Sequence, residues 1–159
     1  MKRIFVALFA LLMFCTSCNN KIFFSDIQTL SKEKWDVKKP LTFTIDVTDS
    51  MAYYDIYINL RNTTSYEYQN FYVFMKTQYP DGHTEQDTLG FILCDKTGKW
   101  TGDGQGRIKS NKFLFQPNIR FPFCGKYTFT VTQGMRKDVV EGICDFGLTL
   151  EETEKKSRQ

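Results

Sequence analysis

The chain has 159 residues, 16% of them aromatic and 42% hydrophobic, with 21 basic side chains, 18 acidic ones and a single histidine. That much Phe and Tyr can bury a core large enough to offset ordering entropy, which excludes a disordered chain. A formal charge of only +3 provides no strong field for a polyanion, which excludes nucleic acid as a partner.

The first element is a leader. Lys2 and Arg3 precede an uninterrupted apolar run from Ile4 to Phe14, too short for a permanent span but suited to an export signal. The run ends at Thr16-Ser17-Cys18. Small side chains before a cut and a thiol at the new N-terminus are the grammar of a bacterial lipoprotein signal. Cys15 follows the bulky Phe14 and is the poorer acceptor. Residues 1–17 are therefore read as a removed signal peptide and Cys18 as the lipid attachment site. The leader holds two of the 21 basic residues and no acid, leaving 19 cations against 18 anions in the mature chain. Asn19-Asn20-Lys21-Ile22 carries no acidic cluster, which favours an anchor facing the periplasm. The expected location is the cell envelope, on the outer membrane.

Residues 18–34 read as lipidated cysteine and tether, because Phe23, Phe24, Ile27 and Leu30 are scattered among polar and charged residues without a period. From Pro40 the period becomes two. Leu41 to Val47 alternates apolar and polar residues, as a half-buried strand does. Tyr54, Ile56, Ile58 and Leu60 then share one face of a second strand. Phe71-Tyr72-Val73-Phe74-Met75 is apolar on both faces and reads as a central strand. Pro80-Asp81-Gly82 is a hairpin turn leading into a strand over 84–93.

Asp95 to Gly106, DKTGKWTGDGQG, reads as a connection at a sheet edge, with Gly98 at the positive-φ position of a tight turn. Short strands are expected over 112–116 and 119–123, broken at Pro117-Asn118, followed by a clean alternation from Lys126 to Thr132. Residues 134–141 read as a loop or one helical turn. A last strand places Cys144, Phe146, Leu148 and Leu150 on one face, and 152–159 reads as a charged disordered tail. Seven to nine short strands separated by turns, with no long helix, predict an all-β, antiparallel β-sandwich of jelly-roll or immunoglobulin-like type over residues 35–151.

No residue pattern supports catalysis, a metal or a cofactor. His83 sits beside a hairpin turn, where no third group would orient it as a catalytic base. Cys94, Cys124 and Cys144 are widely spaced, unlike zinc ligands. They read as small apolar residues, with a disulfide between two of them left open. Gly98-Lys99 is followed by Trp100 and lacks the first glycine of a phosphate loop. Asp95 and Asp103 lack the alternating acids of a calcium loop. Acid pairs such as Glu85 with Asp87, or Glu141 with Asp145, are what any polar sheet face carries.

Several ordered motifs carry a family resemblance. They are the leader, Trp35, the Tyr54-to-Asn62 run, Asp87-Thr88-Leu89, Gly98-Lys99-Trp100 with Gly102, Gly104 and Gly106, Phe121-Pro122 with Gly125, Gln133-Gly134-Met135-Arg136, and Gly142-Ile143 with Asp145 and Gly147. Together they resemble the gliding-motility-associated lipoprotein GldH family of Bacteroidetes over residues 35–151. The resemblance implies a noncatalytic envelope lipoprotein linked to the gliding machinery and to type IX secretion, held to the membrane by its lipid and docking onto other envelope proteins. It brings no catalytic residues. An alternative from the residues alone is a glycan- or peptidoglycan-binding module using Trp100 or Tyr57.

Overall fold

The computed structural model describes residues 21–154, so the leader and Cys18 lie outside the described residues, as do 155–159. Ten strands are present among the described residues. They are β1 (Lys21–Thr29), β2 (Lys34–Asp36), β3 (Leu41–Val47), β4 (Tyr53–Thr63), β5 (Asn70–Gln78), β6 (Thr84–Ile92), β7 (Ile108–Ile119), β8 (Gly125–Gln133), β9 (Val139–Glu141) and β10 (Ile143–Thr153). A 3-10 turn at Ser31–Glu33 is the one helical element among the described residues. One sheet has the order β1-β10-β4-β7 and the other β3-β8-β5-β6, with β2 and β9 paired beside them. Every pairing is antiparallel, and the two larger sheets face each other as the expected sandwich.

Period-two alternation builds the core. Phe43, Ile45 and Val47 of β3, Phe71, Val73 and Met75 of β5, and Tyr127, Phe129 and Val131 of β8 point inward from one sheet. They meet Tyr54, Ile56, Ile58 and Leu60 of β4 and Phe146, Leu148 and Leu150 of β10. Each fully buried large side chain contributes about 1.5–3 kcal/mol through lost apolar area. Trp35 closes one end, its ring centre 5.7 Å from Phe71 and 5.3 Å from Phe146. Its Nε1 donates to the Lys39 carbonyl at 3.2 Å, so the buried N–H is not left unpaired.

Four features differ from the sequence expectation. The stretch read as tether contains β1, which pairs along β10 from Lys21 opposite Glu152 to Thr29 opposite Asp145. Its period is hidden by a register shift between Ile22 and Phe24, and an edge strand needs only one neighbour to hold it. The expected break at Pro117-Asn118 is a bend inside one strand, β7. Pro is tolerated there because β7 is an edge. Asn118 takes φ +49 beside two register shifts, and its N–H donates to Asp55 Oδ1 at 2.7 Å. At the C-terminus, Glu152 and Thr153, read as tail, complete β10 by pairing with Tyr54 and Tyr53. Within residues 134–141 a short strand, β9, takes the place of the suggested helical turn.

The pairings also define two ends. Lys21, Tyr53, Ile119 and Thr153 meet at one end, together with the loops 48–52, 79–83 and 120–124. The loops 64–69, 93–107 and 134–138 gather at the other.

Candidate functional site

β5 is central by pairing, between β8 and β6, but its outward face is not covered. Tyr72 and Phe74 point away from the core and remain 41% and 42% exposed. Each ring lies over a glycine. A Cβ built on Gly90, directly opposite Tyr72 on β6, would fall 2.6 Å from Tyr72 Cε1. One built on Gly134 would fall 3.2 Å from Phe74 Cε2. Side chains two apart on a strand share a face at a spacing of about 7 Å, so the rings form a flat shelf against the sheet.

Beside Tyr72 a cleft of about 410 Å³ opens between Tyr68 and the Met135-Arg136 turn. That turn is held by its own side chains, since Gln133 Oε1 accepts from the Met135 N–H at 2.8 Å and the Tyr72 N–H meets Met135 Sδ at 3.4 Å. Ile92, 56% exposed, extends the apolar area along β6. Lys76 and Arg136 flank it, and neither makes an ion pair among the described residues. Lys137, by contrast, pairs with Glu67 at 2.5 Å. Hydrogen bonds to Glu67 and then Tyr68 push its ammonium pKa up. Aromatic rings, methionine and arginine around apolar area are the composition of protein-interface centres. The shelf offers surface for binding and no arranged acid, base or nucleophile.

A larger hollow, about 560 Å³, lies on the outer face of the other sheet and is lined by Ile27, Leu60 and a set of polar and charged residues. Asp145, buried there, accepts from Arg61 Nε at 2.7 Å and from Thr29 Oγ1 at 2.7 Å. That bond raises the Arg61 pKa. Thr149 Oγ1 accepts from Asn59 Nδ2 at 2.7 Å and lies 2.9 Å from Ser25 Oγ. Thr29, Arg61 and Asp145 of its lining are thus bonded to one another, while Asn59, Asn111 and Lys112 bond to Thr149, Asn62 and Glu151 just outside it.

The residues singled out from the sequence are dispersed. Trp100 is half-buried against the core, bridged to Cys94. Tyr57 has Lys112 Nζ 4.1 Å above one face of its ring. His83 is exposed beside the Pro80-to-Gly82 turn, 3.7 Å from Glu85. Asp95 accepts from Thr97 Oγ1 and from the N–H groups of Thr97 and Lys99, which lowers its pKa and closes its own turn. Gly98 takes φ +85 in that turn, as expected. Cys94 and Cys144 are buried and Cys124 exposed, all three as free thiols. Burial pushes the Cys144 thiol pKa up. Glu141 pairs with Lys34 on the surface and Asp145 with Arg61, so the two acids serve separate contacts. The shelf residues Tyr72, Phe74, Met135 and Arg136 were not picked out by their chemistry. The signal available was the two-sided apolar pattern of 71–75, with glycines at 90 and 134.

Comparison with known proteins places this geometry. The family described as GldH lipoprotein matches residues 22–150. A protein of Christiangramia forsetii named a gliding motility lipoprotein GldH homolog is 31% identical, the alignment covering 95% of this chain and 96% of the relative. The gliding motility lipoprotein GldH of Flavobacterium johnsoniae is 29% identical over 90% of this chain and 91% of its own length. The matched span runs from β1 through β10, and the chain belongs to the GldH lipoprotein family.

Proposed function

We propose that the chain is a noncatalytic lipoprotein of the cell envelope that serves the gliding machinery by docking onto another envelope protein through the Tyr72–Phe74 shelf. The carrying observation is the seating of both rings over glycines with their outer faces left open. Rings already held flat lose little freedom on binding, so their area converts efficiently into affinity. The unpaired Lys76 and Arg136 at the rim select a partner whose apolar patch is bordered by carboxylates. Cys18 carries the lipid and holds the domain on the periplasmic side of the outer membrane. The shelf lies toward the end of the sandwich that is farther from Lys21, so it stands off from that anchor on the side of the domain.

A photo-crosslinking residue placed at Phe74 in the native envelope tests the docking surface, with one at Ser25 on the opposite face as control. The expected result is a discrete protein adduct from position 74 only, lost when Lys76 and Arg136 are both changed to Glu. Equal adducts from both positions, or adducts indifferent to the charge reversal, would overturn the reading. Cys18→Ala protein is expected in the soluble fraction. Unchanged membrane association would remove the anchor.

A further inference from the structure

The end of the sandwich nearest Cys18 carries an apolar tip. Ile22 at the start of β1, Met51 in the β3–β4 loop and Phe123 in the β7–β8 loop are 61%, 67% and 50% exposed. The strand register brings these three segments to the same end, since Lys21 pairs with Glu152, Glu152 with Tyr54, and Tyr54 with Ile119. Beneath them the tip is rigid. Phe23, Tyr54, Phe121 and Tyr127 form a chain of rings with centres 4.9, 5.6 and 4.7 Å apart. The Tyr127 hydroxyl donates to the Phe123 carbonyl at 3.0 Å. Arg120 lies beside Met51, with its Nη1 3.8 Å from Met51 Sδ and its guanidinium 5.7 Å from the Tyr53 ring centre.

We infer that this tip rests in the lipid headgroup layer, with Ile22, Met51 and Phe123 dipping into the surface of the bilayer that holds the anchor. The inference builds on lipidation at Cys18. Only Asn19 and Asn20 separate Cys18 from β1, and three extended residues span at most about 11 Å. A domain tied that closely presents this end to the bilayer. Each apolar contact is weak, but the lipid supplies a high effective concentration, so weak contacts are populated. Arg120 and Lys126 are placed to meet phosphates, while Asp49 and Asp81 in the neighbouring loops oppose a purely electrostatic association. Apolar burial therefore drives the contact, as it does for interfacial segments.

Cys124 provides a natural reporter, because it is the exposed thiol, next to Phe123, while Cys94 and Cys144 are buried. The mature lipoprotein, labelled there with an environment-sensitive dye, is reconstituted into phosphatidylethanolamine–phosphatidylglycerol vesicles containing nitroxide-labelled lipid. A second protein carries Cys124→Ser and Gln105→Cys, moving the dye to the far end. Quenching at Cys124 is expected to exceed that at the far end by about threefold or more, and Met51→Ser with Phe123→Ser to remove the excess. Vesicle co-sedimentation is measured in parallel. Equal quenching at the two ends in protein that sediments overturns the tip alone. Protein that fails to sediment overturns the anchor and the tip with it.

Discussion

On the outer face of the β1-β10-β4-β7 sheet, Asp145 gathers Arg61 and Thr29, and Thr149 gathers Asn59 and Ser25. On the outer face of the β3-β8-β5-β6 sheet, Tyr72 and Phe74 lie against Gly90 and Gly134 and stay largely open, with one long hydrogen bond at the edge, from Asn70 Nδ2 to the Tyr72 hydroxyl at 3.5 Å. Both faces look outward from the same sandwich, yet one is closed by its own hydrogen bonds and the other is not. The closed face uses its polar groups for folding and has fewer left for a ligand. The open face keeps apolar area that folding did not consume, and such area marks interaction sites.

The contrast is broken most directly at Asp145. Asp145→Ala would leave Arg61 and Thr29 without their shared acceptor at a buried position. Arg61 and Thr29 are themselves exposed and water can solvate them once the carboxylate is gone, so the loss is that of two hydrogen bonds to a charged group, about 2–3 kcal/mol. Denaturant midpoints measure it. A loss under about 1 kcal/mol would mean that this face is not closed by the carboxylate but merely decorated with it.

Gly147→Ala acts on the same face at a smaller scale. A Cβ there would sit 2.6 Å from Ile27 Cγ1 and 2.7 Å from the Asp26 carbonyl oxygen. The carbonyl belongs to the backbone of β1, so the strand itself must shift. Overpacking of this kind costs about 2 kcal/mol. Hydrogen exchange would show whether β1 opens first. A neutral result would return residues 21–29 to the status of a tether.

How much of this contrast the sequence displays depends on what each feature needs. Leu41 to Val47 and Lys126 to Thr132 were legible as strands because one face meets the core and the other meets water, which enforces alternation. The two-sided apolar run at 71–75 was read as a central strand, and its pairing agrees. Whether anything covers its outer side depends on distant elements, and no local pattern encodes that. The strand β1 was illegible because two adjacent phenylalanines at a bulge erase the period. The glycine-rich run from Asp95 to Gly106 was legible as a turn because Asp95 and Gly98 satisfy its geometry locally. The ends of the sandwich, and hence the company of Ile22, Met51 and Phe123, follow only from strand register.

Gly90→Ala is the finest test, because it makes the same chemical change as Gly147→Ala on the opposite face. The new methyl would meet Tyr72 Cε1 at 2.6 Å, but the obstacle is the far end of a side chain with open space above it. The ring can swing away, whereas the Asp26 carbonyl beside Gly147 cannot. Alanine also restrains the unfolded chain more than glycine, a gain of roughly 0.5–1 kcal/mol that offsets the lost ring contact. The net change in stability is expected within about 0.5 kcal/mol of zero. The shelf, however, loses its seat at Tyr72, so the adduct formed from position 74 should weaken although no further shelf side chain is removed. A stability loss matching that of Gly147→Ala would mean that Tyr72 is packed as core rather than presented. An unchanged adduct with unchanged stability would mean that the partner reads Phe74 and the charged rim, and that the seating of Tyr72 contributes nothing to docking.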